Sequence, residues 1–152
     1  MTEAVAETTK EAESLAIVRS SMGWSAGAGL VPIPGLDLAA IIGVQLKMVQ
    51  SLSKVYGVPF QSHLVKPLIV TLISGGGSVL LGAATVSLVK SVPIVGSIAG
   101  MLALPSIAAA STWATGKVFI RHFESGGTFL DFDPAKARAY YFEQFAEGKA
   151  AT

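Results

Sequence analysis

The chain has 152 residues, enough for one domain with its own core, and no cysteine, which excludes a disulfide framework and a thiolate zinc site. Charged residues make up 14% of it and hydrophobic ones 51%, where a soluble domain usually carries about 25% charge. The net charge is +1, and Lys and Arg stand singly between apolar runs; nucleic-acid binders gather them on one face, so nucleic acid is not an expected partner.

The charge is unevenly distributed along the chain. Glu3, Glu7, Glu11 and Glu13 face Lys10 alone at the start, and Glu124, Asp131, Asp133, Glu143 and Glu147 outnumber Lys136, Arg138 and Lys149 at the end. Between them Arg19, Lys47, Lys54, Lys66, Lys90, Lys117 and Arg121 face Asp37 alone. Two acidic tails therefore flank an apolar, sparsely basic middle. This divides the chain into a polar acidic segment (1–14), a membrane-associated body (15–125) and a C-terminal interfacial helix with its tail (126–152).

The first segment, TEAVAETTKEAESLAIVRSS, is compatible with a helix and lacks the basic start and cleavage site of a secretory signal. An uncharged arm over 20–33 follows and ends in the elbow Val-Pro-Ile-Pro-Gly at 31–35. Pro32 and Pro34 cannot continue a helix, and Gly35 permits a tight reversal. Each arm around this elbow gives a rod of about 20 Å at ~1.5 Å per residue, too short for a ~30 Å hydrocarbon core. The first hairpin is thus expected to be re-entrant or buried in protein.

The second arm, LDLAAIIGVQLKMVQSLSKVYG, carries a helical stripe of Leu38, Ile42, Val49, Leu52 and Tyr56, with Gln45 among them. Lys47, Gln50, Ser51 and Lys54 fall opposite. Asp37 stands in the first turn, where the helix dipole favours an acid, and Gln45 reads as a core amide with a local partner.

Residues 67–89 and 91–116 are uncharged runs of 23 and 26 residues, each long enough to cross a bilayer, which needs about 20. The elbow repeats between them as Val-Pro-Ile-Val-Gly at 92–96, with Pro93 and Gly96 as the turn residues. Gly75, Gly76 and Gly77 mark a kink or a close helix contact in the third arm. The chain therefore reads as all-α: two tandem helical hairpins with Val-Pro-Ile-x-Gly elbows, membrane-embedded, plus a C-terminal amphipathic helix. If both hairpins enter from one side, Arg19, Lys47, Lys54, Lys66, Lys117 and Arg121 lie on that side. The positive-inside rule then puts both termini in the cytoplasm, with the six cations as candidate lipid-headgroup contacts.

Small residues at four-residue spacing, Gly23 with Gly27, Ser78 with Gly82, and Gly96 with Gly100, are candidates for close helix packing. At the end of the chain Asp133 before Pro134 is a strong helix start. That helix presents Tyr140, Tyr141, Phe142 and Phe145, suited either to a membrane interface or to docking on the bundle.

No catalytic constellation is visible. His63 and His122 are far apart, no carboxylate pair accompanies either, and STWATGKV at 111–118 lacks the first glycine and last hydroxyl of a phosphate-binding loop. The expectation is a non-enzyme with no metal and no cofactor.

Residues 31–60, VPIPGLDLAAIIGVQLKMVQSLSKVYGVPF, resemble the domain of unknown function found in YcjF-like proteins and at the C-terminal end of some Era-type and dynamin-like GTPases. The likeness rests on Pro-Ile-Pro-Gly at 32–35, Asp37, Gln45 with Lys47 and Met48, and Tyr56-Gly57. It covers roughly residues 15–125. It implies a helical, membrane-associated module that works beside a GTPase, which here would be a separate protein. The combined reading is a small, self-assembling or partner-binding module of a bacterial inner or intracellular membrane that organises or shapes the bilayer. An oligomeric channel or transporter subunit, with Asp37, Gln45 and Gly75–Gly77 lining its path, and a soluble lipid-binding bundle are the alternatives.

Overall fold

The computed structural model describes residues 2–28, 36–75 and 95–151, and all regular structure among them is helical. The helices are α1 (Thr2–Ala28), α2 (Leu36–Tyr56), α3 (Ser62–Gly75), α4 (Val95–Glu124) and α5 (Pro134–Ala151). The acidic N-terminal segment and the first apolar arm as far as Ala28 form one continuous helix, since α1 runs unbroken past residue 14.

Two helix ends are built alike. Gly57 and Gly126 take left-handed φ of 67° and 87°, a conformation that glycine reaches without steric cost. Behind α2, Val58 N–H donates to Ser53 O at 2.8 Å and Gly57 N–H to Lys54 O at 3.4 Å. Behind α4, Gly127 N–H donates to His122 O and Gly126 N–H to Phe123 O, both at 3.0 Å. These paired bonds are Schellman caps that satisfy the last carbonyls of each helix. At the start of α5 the Asp133 carboxylate accepts the Ala135 N–H at 3.0 Å, with Pro134 in the first turn, as the sequence predicts.

Helix α4 is the axis of the bundle, packed chiefly against α1 and α5 and also against α2. Ser25 meets Thr112 and Val18 meets Gly116, so α1 runs antiparallel to α4. Gln45 meets Thr115 and Tyr56 meets Glu124, so α2 runs parallel to it. The α1–α2 hairpin is therefore real, although its elbow (31–35) lies outside the described residues. The second pair is different: α3 touches α4 only sparingly and packs mostly on α5 and α2.

The C-terminal ends of α1 and α3 and the N-terminal ends of α2 and α4 all fall at one pole. The α2–α3 turn, the end of α4 and the 125–133 loop form the other, where Phe119, Phe123, Phe129 and Phe132 build an aromatic cluster with Tyr56 and Phe60. Phe119 and Phe132 stack with centroids 4.6 Å apart.

The spanning expectation is corrected here. No described helix is long and apolar enough to cross a membrane. The 67–89 run lies mostly outside the described residues, and its described part buries Ile69, Leu72 and Ile73 in the core. In the 91–116 run, Ala108, Ala109, Ala110, Ala114 and Gly116 are buried under neighbouring helices. That stretch is uncharged because it is the centre of a bundle, which composition alone does not separate from a lipid-facing span. Nor is α5 amphipathic by hydropathy. Its inner face is Tyr141, Gln144 and Gly148, all buried, and it docks on α4.

Candidate functional site

In the middle of the bundle one amide bonds three hydroxyls of α4, and two of these meet hydroxyls of α1 and α5 in turn. The Gln45 Nε2 group donates to Ser111 Oγ at 3.0 Å and to Thr112 Oγ1 at 3.3 Å, and its Oε1 accepts from Thr115 Oγ1 at 2.8 Å. Thr112 donates to Ala108 O at 2.9 Å, so the 2.6 Å contact with Ser25 is donated by Ser25. Ser111 also meets the Tyr141 hydroxyl at 2.9 Å. All six side chains are buried, and burial pushes the Tyr141 hydroxyl up to about 12, opposed by the Ser111 contact. Every polar atom of Gln45 is thus engaged within the core, as a buried amide requires, and the node ties α1, α2, α4 and α5 in one register.

One turn nearer the aromatic pole, Val18, Met48 and Gly116 meet. A Cβ on Gly116 would stand 2.5 Å from Val18 Cγ2 and 3.3 Å from Met48 Sδ. Their sequence neighbours are Arg19, Lys47 and Lys117, so three cations from three helices share this level. Arg19 and Lys47 are exposed, and Lys117 lies half-buried with Nζ 5.4 Å from the Trp113 ring centre. Arg121, one turn on, stacks its guanidinium 4.3 Å from the Tyr140 ring.

Among the described residues, hollows open on two sides of the bundle. A groove of about 760 Å³ runs between α1 and α2, lined by Ala16, Ile17, Trp24, Gly43, Val44 and Lys47 among others. A cleft of about 410 Å³ at the aromatic pole includes Arg121, His122, Asp131, Lys136 and Tyr140. There His122 Nε2 lies 2.7 Å from Thr128 O and 3.0 Å from Asp131 Oδ1. Both neighbours accept, so Nε2 carries the proton. Asp131 also accepts the Thr128 N–H at 2.7 Å, which, followed by His122, holds its carboxyl below the usual range. No group of three His, Cys, Asp or Glu able to hold a metal occurs among the described residues.

The residues singled out from sequence are scattered. Pro32, Pro34, Gly35, Ser78, Gly82 and Pro93 lie outside the described residues. Asp37 is the second residue of α2; Gly96 and Gly100 are within the first two turns of α4, so Gly96 is helical rather than part of a reversal. A Cβ on Gly23 or Gly27 would meet nothing within 4 Å, and no described neighbour packs closely on either. Close approach occurs instead at Gly116 and at Gly148, where a Cβ would stand 2.9 Å from Trp113 Cδ1. Lys54 and Lys66 are exposed, and Lys54 closes α2 at the aromatic pole. Ser25, Ser111, Thr112 and Thr115 escaped the sequence reading, and Tyr141 was read only as part of an aromatic face. The signal was there in STWAT at 111–115, three hydroxyls in a run otherwise too apolar to satisfy them.

The described residues thus form a helical bundle with a polar node at its centre and three cations one turn away. The chain belongs to the family described as a domain of unknown function (DUF697), whose model matches residues 2–147. It is also 44% identical over 126 residues to magnetosome membrane protein 22 of Magnetospirillum gryphiswaldense, a match covering 81% of this chain. The match spans 64% of that relative's own length. No solved structure matches the chain.

Proposed function

We propose that the chain is a non-enzymatic structural module of a bacterial membrane, self-assembling or partner-binding, that organises the bilayer on which it sits. The observation that carries this is the 44% identity to a magnetosome membrane protein. The fold supports it through charge placement. At the pole where α1 and α3 end and α2 and α4 begin, the described helices carry few charges: none on α1 after Arg19, Asp37 on α2 before Lys47, none on α4 before Lys117. Among the described residues the other charges near that pole are Glu147 and Lys149 at the end of α5, so membrane contact there needs little charge desolvation. Within this reading the chain is a relative of the YcjF-like, GTPase-associated domains and works beside a GTPase, with both of its ends on the cytoplasmic side. The pore alternative loses support because Gln45 spends its bonds inside the core.

The test is fractionation of expressed protein, a carbonate wash and sizing in mild detergent. Retention in washed membranes as a discrete oligomer is the expected result. Release as a small soluble species would overturn the reading and favour the α1–α2 groove as an apolar-ligand site.

A further inference from the structure

The two tryptophans and the three central cations lie in two adjacent planes of the bundle. Trp24 precedes Ser25, and Trp113 follows Thr112; Ser25 and Thr112 are hydrogen-bonded at 2.6 Å. The only two tryptophans of the chain therefore stand at one level. Arg19, Lys47 and Lys117 are neighbours of Val18, Met48 and Gly116, which meet at the second level. Along α4 the two levels are four residues apart, Thr112 to Gly116, or about 6 Å at ~1.5 Å per residue. The tryptophans lie on the side of the charge-poor pole and the cations on the side of the aromatic pole.

The geometry points to end-on seating in an anionic bilayer: the charge-poor helix ends enter the lipid, exposed Trp24 lies at the interface while Trp113 stays packed against Gly148 with its N–H buried, and Arg19, Lys47 and Lys117 reach the headgroup phosphates. This rests on the membrane reading above and adds the plane, the orientation and the lipid class. Tryptophan prefers the interface because its ring is apolar and its N–H is not. Trp24 is 73% exposed and lines the α1–α2 groove, with no covering contact among the described residues. Lysine and arginine just outside that plane hold long stems on apolar surface and heads among phosphates. Lys117 already lies along the Trp113 ring. None of the three cations has an ion-pair partner among the described residues. The α5 side sets the depth. Gly148 faces Trp113, so the adjoining Glu147 stands at the tryptophan plane, and α5 ends at Ala151. Its charges keep α5 in the headgroup zone.

The test uses the purified full chain floated with phosphatidylcholine vesicles, with or without phosphatidylglycerol, carrying bromines high on the acyl chains. W113F leaves Trp24 as the sole reporter, and W24F/W113F/L130W moves the reporter to exposed Leu130 at the opposite pole. The expected result is strong bromine quenching of Trp24, little quenching at position 130, and a blue shift of Trp24 on binding. R19Q/K47Q/K117Q should weaken binding to phosphatidylglycerol vesicles on the order of a hundredfold and leave phosphatidylcholine binding unchanged, while K54Q changes neither. Circular dichroism checks that each variant remains helical. Co-flotation with unquenched Trp24, or with equal quenching at both positions, overturns this seating and leaves the membrane reading standing. Failure to float with either vesicle overturns both.

Discussion

The Thr115 hydroxyl donates to Gln45 Oε1 across the α2–α4 contact at 2.8 Å, and neither side chain is exposed to solvent. In such a place an unmade bond costs more than a made one contributes. Gln45→Leu keeps the volume but leaves Thr115 without that acceptor and removes the amide donor from Ser111 and Thr112, which keep their contacts with Tyr141 and Ser25. The expected loss is about 1–3 kcal/mol. Adding Thr115→Val should recover part of it, because both partners of that bond are then gone. Urea unfolding of the two variants checks this. A double variant less stable than the single one would show that the node is not the cause.

Gly116 lies beneath Val18, with room for hydrogen only. Alanine there gains about 1 kcal/mol in helix propensity but forces an overpacked contact that costs about 1–3 kcal/mol. The overpacking should win, because Val18 is wholly buried and cannot swing away. Val18→Ala opens a cavity by itself. Combined with Gly116→Ala it should cost less than the two single changes summed, and the thermal melts of all three variants measure that coupling.

The stripe on α2 was legible in the sequence: Val49 and Leu52 are buried with Gln45, and Lys47, Gln50 and Lys54 are exposed, as a 3.6-residue period requires. The Asp133 cap was legible for a similar local reason. What was not legible is which surface covers which. The uncharged run at 107–116 has the composition of a membrane span and is the covered centre of the bundle, a distinction that depends on α1, α2 and α5 rather than on the run itself. The close glycines were hidden too. Gly116 and Gly148 matter because Val18 and Trp113 face them, and no spacing rule within one helix reports on the opposing side chain.

At the aromatic pole Asp131 fastens the 125–133 loop, accepting from Thr128 N–H and from the His122 ring. Its pKa is depressed in the folded chain, first through the Thr128 amide. The stability it contributes is therefore present above its ordinary carboxylate range and is lost as pH falls through the folded value. Asp131→Ala should remove that acid-side dependence and speed hydrogen exchange at Thr128 N–H, while exchange at the centre of α4 is unchanged. Equal protection of Thr128 in both proteins would rule out the fastening role.

Tyr141 supplies the alkaline counterpart. Its hydroxyl rises from the ordinary 10.0 to about 12 because burial disfavours the phenolate, while the contact with Ser111 acts the other way. A group whose pKa is raised by folding contributes stability that is intact below the unfolded value and lost as pH climbs through the folded one. The window is thus pH 10 to 12. At about 1.4 kcal/mol per unit the loss across it is roughly 3 kcal/mol. Tyr56 and Tyr140 are shifted upward by burial as well, so the measurement is the difference between the native chain and Tyr141→Phe. At neutral pH the phenylalanine variant should be less stable by about 1 kcal/mol, the bond to Ser111. Towards pH 12 the native chain should lose that lead and fall below it, since only there does unfolding free a phenol that ionises in solvent while the folded state keeps it neutral. Parallel unfolding curves for the two proteins from neutral to alkaline pH would mean that Tyr141 titrates in solvent and that the α4–α5 contact opens before it does.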